Sequence, residues 1–148
     1  MHIRNLNLLD YMAFRPKNFL KHRVVLMPAA TTQTITIGDA LVDNGAGYLK
    51  VATNVTATDV HYIARDTVVT TANGQMVKCI ETENVLFEAD TDAAWATADV
   101  GTYADLATVS TVNPDASTDD LFYILKGVGT AGTDTKVLGF FTRAIPNT

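Results

Sequence analysis

The residues with which this 148-residue chain could do chemistry are three histidines, one cysteine, two serines and sixteen acidic side chains. His2, His22 and His61 are scattered, with neither an H-E-x-x-H run nor a pair at three to five residue spacing, so they make no local zinc motif. Cys79 sits in the strand-like run GQMVKCIETE with no histidine nearby, which fits a small buried apolar residue better than a nucleophile. A single cysteine also excludes an internal disulfide and any Cys-based metal cluster. Ser110 and Ser117 lie in no G-x-S-x-G turn. The aspartates form two groups, Asp90, Asp92, Asp99 and Asp105, then Asp115, Asp119 and Asp120. A weak calcium site of loop oxygens is the most they offer, because the glycine and terminal glutamate of an EF-hand are missing; the alternative is a solvated acidic loop. The expectation is a protein that is not an enzyme, with no catalytic residue, metal or cofactor.

Two further stretches bear on ligands. Gly127-Val128-Gly129-Thr130-Ala131-Gly132 spells G-x-G-x-x-G after a strand. A dinucleotide site needs a helix next and an acidic residue about 20 positions on. Here the strand TKVLGFF follows and the chain ends soon after, so the glycines predict a hairpin turn. The run DTDAAWATADVGTYADLA (90–107) holds the only tryptophan. Trp95 and Tyr103 would serve as stacking platforms in a carbohydrate-binding or host-adhesion module, with nearby aspartates for hydroxyls or calcium. The alanines around Trp95 have no hydrogen-bonding reach, which favours a connector packed over a barrel end.

These residues must be positioned by a single domain. Hydrophobic residues are 47% and charged residues 18% of the chain, the balance of a packed protein and the reverse of a disordered one. The net charge of -5 is unevenly spread: Arg4, Arg15, Lys17, Lys21 and Arg23 face only Asp10 within residues 1–25, giving about +4 there and about −9 beyond. An acidic body repels phosphate backbones, so nucleic acid is not an expected partner. The apolar run VVLMPAA is too short to span a bilayer, and no membrane partner is expected.

The abundance of Thr, Val and Ile predicts a mainly β chain. From Thr34 onward short strands alternate with turn signals every 8–12 residues or so, as in a small barrel or sandwich. DNGAG (43–47) predicts a hairpin into YLKVAT, DVHYIARDTVVTT to VLFEAD a meander, and ADTDAAWATA at most one short helical turn capped by Asp90 or Asp92. TYADLATVS, LFYILKGV and TKVLGFFTRA then close the sheet. Residues 1–33 differ: Leu6, Leu8, Leu9, Tyr11, Met12, Phe14, Phe19 and Leu20 follow neither strand nor helix period, and Pro16 interrupts any helix. They predict an extended arm ahead of a barrel domain at 34–148. Ordering such an arm costs about 1–2 kcal/mol per residue, and burying its large side chains on a neighbour at roughly 1.5–3 kcal/mol each offsets much of that. The alternative is a first strand and loop packed on the same chain.

The runs TITIGDALVDNGAGYLKVA, FEADTDAAWATADVGTYADLA and KVLGFF, in this order, resemble the small β-rich decoration, or cement, proteins of tailed-bacteriophage heads. The similarity is one of element order over about residues 34–143. It implies a β-tulip-like barrel, a homotrimer, and an N-terminal arm that reaches the major capsid protein, often by adding a strand to it. It also implies a place on the outer surface of the virion after synthesis in the host cytoplasm. On that resemblance Phe14, Phe19 and Leu20 would be apolar anchors and Arg15, Lys17, Lys21 and Arg23 polar contacts. Strand addition through KHRVVLMPAATTQTITI would let Val24 and Leu26 fill pockets.

Overall fold

The structure, a computed structural model, describes residues 12–17, 23–52 and 60–142. It is mainly β, with thirteen strands and one 3-10 turn at Thr97–Asp99 among the described residues. The strands are β1 (Phe14–Pro16), β2 (Val24–Ala29), β3 (Thr34–Ile35), β4 (Ala40–Asp43), β5 (Leu49–Val51), β6 (Tyr62–Ala64) and β7 (Val68–Val69). There follow β8 (Gln75–Glu81), β9 (Phe87–Thr91), β10 (Tyr103–Thr108), β11 (Thr111–Asn113), β12 (Phe122–Val128) and β13 (Lys136–Phe141). No helix among these residues is long and apolar enough to cross a membrane.

Strands β2, β5, β4, β6 and β8 close into a five-stranded barrel in that order. The remaining long strands form a sheet in the order β1-β9-β11-β10-β12-β13, and β9 also pairs with β13. That extra pairing closes five of the six strands on themselves, leaving β1 beside β9 on the edge that β11 continues. A meander through β6–β9 is not what forms: β7 leaves the barrel to pair with β3.

Alternation along the strands assigns the two cores. In β8, Val77 and Cys79 point inward while Met76 and Lys78 point out, as a half-buried strand requires. Ala29, Ile35, Leu41, Leu49, Ala64, Val77 and Cys79 fill the first barrel. Strand β4 is apolar on both faces because Leu41 points into that barrel while Ala40 and Val42 join the second core. The second core centres on Phe141, whose ring lies 4.9 Å from Phe14, 5.2 Å from Phe122 and 5.3 Å from Phe87, with tilted edge-to-face geometry.

The division at residue 33 does not survive. Met12 and Phe14 are fully buried in the second core, β1 pairs with β9 in the register Phe14↔Ala89, and β2 pairs with β8 along its whole length. Gly38, with φ +93°, fastens β1 to the first barrel, since a Cβ there would collide with the backbone of Ala13. Within residues 12–17 and 23–33 the strand-and-loop alternative therefore holds for Met12, Phe14, Ala29 and Ala30, which find cover on their own chain, while Val24 and Leu26 stay exposed.

Candidate functional site

The unusual feature of the first barrel is its seam. β2 and β5 run parallel and pair only at Ala29↔Leu49, because the chain before Leu49 turns away through the Asn44–Tyr48 loop. That loop is built by short side chains: Asp43 accepts from the Gly45 N–H at 2.6 Å, and Asn44 from the N–H groups of Ala46 and Tyr48. The Arg23 C=O accepts from the Glu81 N–H at 3.0 Å, so Arg23, Val25, Met27 and Ala29 turn their backbone groups to β8. Val24, Leu26 and Pro28 turn theirs to the seam. Pro28, lacking an N–H, sits where no donor is needed toward β8. Beside it, the Ala30 N–H reaches the Leu49 C=O at 2.8 Å, which fixes where β5 begins. Among the described residues no strand pairs with the seam edge of Val24 to Leu26.

The side chains over that edge are apolar and wet. Leu26 is 56% and Val24 40% exposed, and Met76, opposite Pro28 on β8, is 53% exposed. Lys78, opposite Leu26, is the charge next to them, and Arg23 lies 3.8 Å from Glu81 at the strand's start. Open backbone groups with an apolar outer row are what strand addition uses. Pro28, Met76 and Lys78 were not legible as part of this surface, although the alternation of QMVKC places Met76 and Lys78 on one face.

The other sequence-predicted contact residues are dispersed. Phe14 is buried and offers no surface. Arg15 donates to Glu88 at 3.0 Å, to Asp90 at 3.1 Å and to the Met12 C=O at 2.7 Å, and Lys17 lies 3.4 Å from Glu88. Both bases make ion pairs within the chain, Arg15 on the edge strand β1 and Lys17 just after it, where charge and Pro16 discourage further pairing. Arg23, Val24 and Leu26 do come together at the seam. Phe19, Leu20 and Lys21 lie outside the described residues.

Trp95 is scaffold. It is 8% exposed, donates its indole N–H to the Val128 C=O at 3.1 Å, and lies so close to Gly127 that a Cβ there would fall within the ring. It offers no stacking face. Tyr103, 48% exposed, pairs edge to face with Tyr123 at 5.2 Å. It borders an open groove of about 640 Å³ with Asp99, Thr102, Asp115, Ser117 and Asp120. Neither Asp90 nor Asp92 caps a helix: the single turn starts after Ala96, whose N–H is taken by the Asp99 carboxylate at 2.6 Å. Asp105 accepts the N–H groups of Thr118, Asp119 and Asp120 at 2.7–3.0 Å, which holds the 113–120 loop in shape. Among the described residues no three His, Cys, Asp or Glu side chains converge as metal ligands.

The glycine run 127–132 is the β12–β13 hairpin, with the Asp134 carboxylate accepting the Thr130 N–H. Cys79 is buried, and desolvation, then the charge of Asp66, pushes its thiol up to about 12, which suits the small apolar role. No protein-family model, no curated protein and no solved structure matches this chain.

Proposed function

We propose that this protein is a capsid decoration protein of a tailed bacteriophage, a clip on the outer surface of the assembled head that bridges major capsid protein subunits. The observation that carries the reading is the barrel seam, where the open edge of Val24 to Leu26 lies under exposed apolar side chains. Docking moves from a loose arm to the body: an extended segment of the capsid protein adds to β2, main-chain bonds supply general affinity, and Val24 and Leu26 select the side chains that face them. A clip that recognises the assembled surface and not separate subunits stabilises the shell by linkage. The resemblance in element order supports the viral setting, and the burial of Phe14 and of the Arg15 side chain removes these two from the contact.

The test is co-sedimentation of the purified chain with expanded heads, followed by electron microscopy. Saturable decoration that is lost in Leu26→Glu is the expected result. Heads that stay bare with the wild-type chain, or are decorated equally by Leu26→Glu, exclude this mode. The exposed ring of Tyr103 over its polar groove favours a second reading, a saccharide-binding module on the virion. A glycan array separates the two, since a pure clip binds no saccharide.

A further inference from the structure

An exposed strand edge with apolar side chains is a liability in solution, because it pairs with whatever strand it meets. Among the described residues nothing pairs with the N–H and C=O of Val24 and of Leu26 on β2, and Val25 between them is turned to β8. This set is its own complement. An antiparallel second copy related by a two-fold axis at Val25 brings Val24 of each copy opposite Leu26 of the other, and each such pair exchanges two N–H···O=C bonds. Every open donor then meets an open acceptor. Moving the axis to Leu26 would set Val24 against Pro28, which has no N–H to give, so the proline selects the register. The outer rows match as well: Val24 meets Leu26 twice in the middle, flanked by Pro28 and Met76 of both copies, with no carboxylate on β2 to repel its counterpart.

We infer that the free protein covers this edge with the same edge of a second copy, forming a two-fold β2–β2 dimer that must open before the strand can receive a capsid segment. The inference rests on the same open edge as the proposed attachment, not on the capsid itself, so each is tested without the other. Attachment would then compete with self-association, and bound protein would rise less than proportionally with total protein.

Sedimentation of the full chain over a wide concentration range reads the self-association. A reversible monomer–dimer equilibrium is expected, weakened at least tenfold by Leu26→Glu and unchanged by Leu125→Glu, an exposed site on β12 of the six-stranded sheet. Register is read by oxidation. A mixture of Val24→Cys and Leu26→Cys copies should form a disulfide-linked heterodimer faster than either variant alone, since paired Cα atoms about 5.5 Å apart suit a disulfide. Cys79 is buried and stays out of the reaction. A chain that stays monomeric, one that forms trimers, a dimer indifferent to Leu26→Glu, or a mixture that cross-links no faster than the single variants each overturns the inference. Head decoration by a strictly monomeric chain would overturn it while leaving the attachment intact.

Discussion

Trp95 rests on Gly127, its indole ring filling the space a side chain at 127 would need, while its N–H closes on the Val128 C=O at 3.1 Å. The connector before β10 is thereby pinned to the end of β12. Gly127→Ala should cost about 1–3 kcal/mol by overpacking, and Trp95→Ala about 3–5 kcal/mol by leaving a cavity. Chemical denaturation measures both. A saccharide should leave the native tryptophan fluorescence unshifted, because the ring presents no face to solvent.

Arg15 behaves as an internal clamp. Its guanidinium joins β1 to two carboxylates of β9, and Glu88 is itself mostly buried. Arg15→Met should lower stability by about 1.5–3 kcal/mol, and Arg15→Lys by less, since an ammonium keeps the charge although it loses the forked contacts. Adding Glu88→Gln to Arg15→Met should recover part of the loss, because only the more exposed Lys17 would be left to balance that carboxylate. Thermal unfolding of the three variants checks the order. A residue serving only an external contact would shift stability by no more than about 0.5 kcal/mol.

Asp105 holds a loop by taking three backbone donors with two oxygens. In Asp105→Asn one oxygen becomes an amide donor that faces another donor. The expected loss is about 1–3 kcal/mol. Hydrogen exchange should quicken at Thr118, Asp119 and Asp120, and stay unchanged in β8.

Asp39 lies where the barrel meets the six-stranded sheet: its carboxylate accepts the Thr36 N–H at 2.9 Å and the neighbouring Ala40 N–H reaches the Val109 C=O. Burial raises its pKa above the ordinary 3.8, against a smaller lowering by the Thr36 bond. A raised folded pKa means that this group's contribution is greatest below 3.8 and is lost as pH rises through the folded value, after which it stays constant. Asp39→Asn keeps the acceptor and removes the charge. The variant's gain over wild type should therefore grow as pH rises from 3.8 and level off above the folded pKa. Paired melting curves across pH isolate this difference from the other carboxylates.

Much of the strand pattern was legible because its causes are local. The DNGAG turn, the 127–132 hairpin and the alternation of QMVKCIE each depend on a few neighbouring residues and on the positive φ that glycine accepts. The buried role of Cys79 and the scaffold role of Trp95 followed from their neighbours. The helical turn was misplaced because Asp99 satisfies the Ala96 N–H from inside the turn, while Asp90 belongs to β9. Val24 and Leu26 were legible as an interface pair, but on a supposed arm and not on a barrel strand.

The sequence by itself determined that this chain is mainly β, where most of its turns fall, and that its first thirty residues carry apolar groups in need of cover. Only the tertiary structure decided what covers those of them that are described, since β1 meets β9 across some 73 residues of chain and composition does not encode which distant strand will have a free edge. The open seam is of the same kind: whether Val24 and Leu26 are paired depends on where β5 turns away, a property of two strands together and of neither alone.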